Sequence, residues 1–138
     1  MKNAVLDASA VLAVLRREDG ADSVRRYLPG GMISCVNLAE VYYKLIYHGE
    51  SLEYTRFAVG SLQLHVIPFD EEQAAVYASL HRSTLKHSLS YADRACLSLG
   101  LLQHVPVITS DSKWDLLEVD VEVIQFRKSK QTAAKAKT

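Results

Sequence analysis

Cysteine is scarce in this chain: only Cys35 and Cys96 occur among 138 residues. Both lie in apolar surroundings and read as small core thiols, which excludes a disulfide framework as the source of stability. Three prolines and six glycines are too few and too scattered to form a linker, so the body reads as one domain. No internal repeat is visible. The apolar runs are only a few residues long, far short of the roughly 20 that span a bilayer. Met1-Lys2-Asn3 passes straight into Ala4-Val5-Leu6-Asp7, too short and too soon charged for a signal peptide, and a cytoplasmic protein is expected. The five histidines, His48, His65, His81, His87 and His104, show no zinc-binding spacing such as HExxH. A glycine-rich phosphate loop is also missing.

Charge of one sign is not in surplus overall, since 16 Lys and Arg balance 16 Asp and Glu. The distribution is uneven, however. Arg127, Lys128, Lys130, Lys135 and Lys137 follow Phe126 with no acid among them, which leaves Met1 to Phe126 with a net charge of −5. That acidic body lacks the basic face of a general nucleic-acid binder. It suits a protein whose acids gather at one place. Residues 128–138 have no apolar period and are expected to form a basic, mostly disordered tail outside a domain spanning residues 1–127.

Hydrophobic content of 49% and 23% charged residues are enough for a packed core. Strand-like and helix-like segments alternate. Ala4 to Leu6, Met32 to Ser34, His65 to Ile67, Val105 to Thr109 and Val121 to Phe126 read as strands. Helices are expected over Ala8 to Arg17, after Gly20, over Asn37 to His48, and over Leu52 to Val59. A long one is expected over Asp70 to Lys86, with Ala74, Tyr77, Ala78, His81 and Leu85 on its apolar face. Another runs from Ser90 to Gln103, where Ala92, Ala95, Cys96, Leu99 and Leu102 fall at helical spacing. About five strands and six or seven helices in alternation imply an α/β fold, a mostly parallel sheet with helices on both faces.

Such a sheet binds ligands beyond the carboxyl ends of its strands. Asp7 ends the first strand and Asp111 follows the fourth, so both belong on that edge. Glu40 and Asp93 are expected in the first turns of their helices, facing the same edge. Each acid has a purely structural alternative. Asn37-x-x-Glu40 and Ser90-x-x-Asp93 approach capping boxes, Asp7 could cap the helix after it, and Asp111 could serve a turn. Four carboxylates on one edge repel one another, so either their pKa values rise or a cation is bound. Oxygen ligands alone favour Mg²⁺ or Mn²⁺, and such ions can activate water against a phosphodiester. His65 reads as a core or edge residue, and Tyr42, Tyr43 and Tyr47 as a core or dimer contact. Arg16, Arg17, Arg25, Arg26 and Arg94 read as surface charges that could hold a phosphate if near the acids.

Four segments now stand in order: Val5-Leu6-Asp7-Ala8-Ser9-Ala10, Val36-Asn37-Leu38-Ala39-Glu40-Val41, Leu89-Ser90-Tyr91-Ala92-Asp93-Arg94, and Ile108-Thr109-Ser110-Asp111. Together they resemble the PIN-domain family, and within it the VapC-type toxins of toxin–antitoxin pairs. The resemblance runs from Met1 to about Arg127. It implies a ribonuclease in which Asp7, Glu40, Asp93 and Asp111 hold Mg²⁺ or Mn²⁺, with Ser9 and Thr109 supporting them. It also implies an RNA substrate, a small VapB-type antitoxin as partner, and a homodimer. Tyr91-Ala92 departs from the Leu-Gly that commonly precedes this acid. Asp115 has no counterpart among the ligands and reads as a surface residue.

Rival readings differ in testable features. A haloacid-dehalogenase-type phosphatase would want a second Asp two residues after the first, where Ser9 stands. A receiver domain would need an acidic pair near the first strand and a late lysine. A non-catalytic PIN-like module binding RNA or a protein would be favoured by loss of one of the four acids.

Overall fold

Short apolar, mostly β-branched runs form the strands, and the helices between them close over both sheet faces. The structure, a computed structural model, describes residues 3–127. The expected tail at 128–138 lies outside the described residues. In chain order the elements are β1 (Val5–Leu6), α1 (Ala8–Leu15), α2 (Ala21–Arg25), β2 (Met32–Ser34), α3 (Cys35–Tyr47) and α4 (Leu52–Gly60). There follow β3 (His65–Ile67), α5 (Glu71–Ser79), α6 (His81–Thr84), α7 (Tyr91–Gln103), β4 (Val107–Thr109) and β5 (Val123–Gln125). Two 3-10 turns, Leu85–His87 and Ser112–Leu116, follow α6 and β4.

All strand pairs are parallel, in the order β3-β2-β1-β4-β5. The chain winds one way from β1 and the other way from β4. In sheets of this kind ligands bind where the winding reverses, here beyond the carboxyl ends of β1 and β4. Neighbouring residues along each strand serve opposite cores. Leu6, Ile33 and Ile108 pack with α1, α2, α3 and α4, whereas Val5, Met32 and Val107 pack against α7 and Trp114. The expected α/β sheet with helices on both faces is therefore observed. Gly100 lets α7 settle on β4, since a Cβ there would meet Val107 Cγ1 at 2.6 Å.

Four expectations need correction. The single helix over Asp70 to Lys86 is broken at Leu80 into α5, α6 and a 3-10 turn. Most of its expected apolar face points outward: Ala74, Ala78 and His81 are exposed and Leu85 is 62% exposed, and only Tyr77 is half-buried, while Gln73, Leu80 and Thr84 are buried. Thr84 explains part of this, because its hydroxyl donates to the Leu80 carbonyl at 2.7 Å and binds the chain back on itself. Cys35 is exposed, not core, because β2 runs directly into α3 and places it at the helix start. Finally, Ser34 caps α3 by accepting from the Val36 amide. Glu40 therefore sits in the second turn, and the Asn37–Glu40 capping box does not form. No helix among the described residues is long and apolar enough to cross a membrane.

Candidate active site

Asp7 leaves β1 and caps α1, so its carboxylate is built into the junction of strand and helix. Oδ1 accepts from the Ala10 amide at 2.9 Å and from the Ser9 hydroxyl at 2.6 Å. Oδ2 accepts from the Thr109 hydroxyl at 2.6 Å, which ties the ends of β1 and β4 together. The residue is 7% exposed. Burial raises its carboxyl from 3.8 to about 6, because desolvation penalises the charged form. The hydrogen bonds from Ser9, Thr109 and Ala10 oppose that rise, and the Glu40 charge adds to it.

The β4 end is stitched to the same group. Thr109 Oγ1 accepts from the Asp111 amide at 3.0 Å, and Ser9 Oγ accepts from the Ser110 amide at 3.2 Å. Asp111 caps the 3-10 turn, its Oδ1 accepting from the Lys113 amide at 3.0 Å. From β5, Gln125 Nε2 donates to the Asp111 carbonyl at 2.8 Å and reaches Asp115 Oδ1 at 3.3 Å. Gln125 is thus part of the frame around Asp111, and Asp115 belongs to its surroundings. No sequence signal marked either, since the link joins residues 14 apart across two strands.

Glu40 and Asp93 arrive from helices. Glu40 pairs with Lys44 one turn on, at 3.8 Å. Asp93 forms the expected capping box: its Oδ2 accepts from the Ser90 amide, and Ser90 Oγ accepts from the Asp93 amide. The charges of Glu40 and Asp93 both act on the Cys96 thiol on α7, as does that of Asp7. Burial pushes that thiol well up, and the Asp7, Asp93 and Glu40 charges push it further. Three of the four acids therefore act electrostatically on one buried sulfur.

The donors suit a hard divalent cation. They are all oxygen, and no cationic side chain hydrogen-bonds to the buried Asp7 among the described residues. As oriented, however, no three His, Cys, Asp or Glu side chains among the described residues stand close enough to hold an ion. Asp93 and Asp111 are engaged in their caps and Glu40 in its ion pair. A cation would have to draw them away. Arg94 is tied inward, its Nε donating to Thr84 Oγ1 and its Nη1 to the Leu89 carbonyl, both at 2.9 Å.

The profile of the PIN domain family matches residues 4–120. The chain belongs to the PIN domain family. That membership sets aside the phosphatase and receiver readings. No curated protein sequence matches the chain significantly. Solved structures similar to this PIN-domain chain include DNA-bound VapBC from Salmonella typhimurium, with a TM-score of 0.74 at 13% identity over 92% of this chain and 100% of that one. A toxin–antitoxin complex from Klebsiella pneumoniae gives 0.72 at 20% identity, covering 91% and 99%. FitAcB from Neisseria gonorrhoeae gives 0.70 at 20% identity, covering 89% and 97%. At such identities the likeness shows the fold.

Proposed function

We propose that this PIN-domain chain is a ribonuclease dependent on Mg²⁺ or Mn²⁺, with Asp7, Glu40, Asp93 and Asp111 as its metal ligands. The carrying observation is Asp7: a buried carboxylate without a countercharge, at the carboxyl end of β1, with the Glu40 charge acting on it. A purely structural cap would be cheaper as a neutral residue. A bound divalent ion would supply activated water and neutralise charge on the phosphodiester. The chain's own contribution is orientation. Thr109 and Ser9 hold the two Asp7 oxygens, and Thr109 also fixes the backbone of Asp111.

The chain is further proposed to be a cytoplasmic toxin of a toxin–antitoxin pair, acting as a homodimer. Its structural neighbours come from such complexes. On α3 and α4, Tyr43 and Tyr47 are 70% and 74% exposed, stacked 6.3 Å apart, with Leu52, Tyr54 and Phe57 exposed nearby in sequence. Exposed apolar side chains of this kind suit an amphipathic VapB-type antitoxin segment.

The deciding experiment incubates the purified protein with total RNA, with and without Mg²⁺, and maps the cleaved ends. Cleavage is expected only with the metal, and none from Asp7→Asn. RNA bound but uncut would favour the non-catalytic PIN-like module. Expression of the wild type alone should arrest growth, and Asp7→Asn should not. Harmless expression of an active protein would overturn the toxin reading and leave the nuclease standing.

A further inference from the structure

Asn37 is 1% exposed, a polar side chain in the middle of apolar packing. Its Nδ2 donates across to the Ala92 carbonyl at 3.0 Å, from α3 to the first turn of α7. Ala92 immediately precedes Asp93, and Asn37 stands three residues before Glu40, on the same side of its helix. The carboxamide therefore bridges the two helices that carry the helix-borne acids. Its Oδ1 is buried with no hydrogen-bond partner.

That unmatched oxygen argues against a purely stabilising role. A buried acceptor left unmade costs more than a single made hydrogen bond returns, and an apolar residue of similar shape would hold the helices as well. Thr55, Gln73 and Trp114 also bury an unmatched atom, but none of the three hydrogen-bonds between acid-bearing helices. From this geometry we infer that Asn37 is a positioning residue. It fixes the spacing of Glu40 and Asp93 for a shared divalent cation. The inference rests on the proposed reading of these acids as metal ligands.

The mechanical argument is direct. The other ties on Glu40 and Asp93 are local: an ion pair to Lys44 and a capping box with Ser90. Neither links one acid's helix to the other's. Asn37 does, by a hydrogen bond between residues 55 apart in sequence. The bridge meets α7 one residue before Asp93, so it fixes where that turn stands relative to α3.

The test measures Mn²⁺ binding to the RNA-free protein by calorimetry, beside melting in metal-free buffer. Asn37→Leu removes donor and unmatched acceptor together at similar volume. It is expected to weaken Mn²⁺ binding roughly ten- to a hundredfold, the usual effect of losing a residue that orients ligands. The metal-free melting temperature should change little. Val41→Ala serves as control: its buried cavity on the same helix should lower the melting temperature and spare Mn²⁺ affinity. Asn37→Ala replaces Asn37→Leu if the latter does not fold. Equal Mn²⁺ affinity in the folded Asn37 variant and the wild type overturns the positioning role. So does an equal loss of affinity in Val41→Ala, which would make the effect one of stability. A wild type that binds no Mn²⁺ overturns the metal reading itself, and this inference with it.

Discussion

Asp7 and Asp111 stand at the ends of adjacent strands, while Glu40 and Asp93 ride on helices, and the two pairs are held in opposite ways. The strand pair is stitched through Thr109, whose hydroxyl donates to one acid and accepts from the backbone of the other. The helix pair has only local partners, Lys44 and Ser90, plus the Asn37 bridge beneath. Burial sets Asp7 apart from the other three, with 7% exposure against half-buried Glu40, Asp93 and Asp111. Asp7 is held at both oxygens, while the carboxylates of Asp111, Glu40 and Asp93 have only partners close in sequence. The cost of burying charge is concentrated at Asp7.

The largest expected effect tests that concentration through pH. In metal-free protein the Asp7 carboxyl lies at about 6 against 3.8 ordinarily, a difference worth roughly 3 kcal/mol. The folded state holds the proton more tightly than the unfolded one. The associated stability is therefore fully present below about pH 4 and is lost as pH rises through about 6. Asp7→Asn keeps the acceptor for Ala10 and removes the titration. Its stability relative to wild type should grow between pH 4 and 7 and then stay level. Denaturation curves across that range check this, and parallel curves would show that Asp7 is not strained. Added Mg²⁺ should erase much of the difference at pH 7.

Thr109→Val comes next. The residue is fully buried, and Val preserves its shape while deleting the hydroxyl. Asp7 Oδ2 and the Asp111 amide then lose their shared partner, at a cost of about 2 kcal/mol for buried groups left unmatched. The strand-borne half should loosen while α3 and α7 keep their packing. Amide exchange that quickens at Ser110 and Asp111 but not along α7 would confirm the division. Uniform quickening would mean that the two halves of the site fold as one unit.

Much of this was legible in the chain, for physical reasons that differ by element. Met32–Ser34 and His65–Ile67 coincide with the expected strands because apolar runs between turn residues leave little choice of boundary. The Ser90–Asp93 box was legible because both partners lie within one helical turn. Asp70 to Lys86 misled because its apolar spacing was helical but its buried face was set by Gln73, Leu80 and Thr84. Asn37 misled because Ser34, three residues earlier, is the last strand residue and takes the cap first. Tertiary ties such as Asn37 to Ala92, or Gln125 to Asp111, leave no periodic trace at all.

The smallest expected effect comes from Ser90→Ala, on the helix-borne side. Ser90 Oγ accepts from the Asp93 amide at 3.1 Å, and loss of such a cap costs about 1 kcal/mol. The other half of the box survives, since any residue at position 90 except proline keeps the backbone amide that donates to Asp93 Oδ2. Asp93 must leave that amide to meet a cation, so weakening the box removes a competitor as well as a support. The two consequences oppose each other. Melting temperature should fall by a few degrees, while cleavage at saturating Mg²⁺ stays within a few-fold of wild type. A loss of activity as deep as that of Asp7→Asn, with melting unchanged, would show that Ser90 aims Asp93. The helix-borne acid would then be as firmly preset as the strand-borne one, and the contrast between the two pairs would fail.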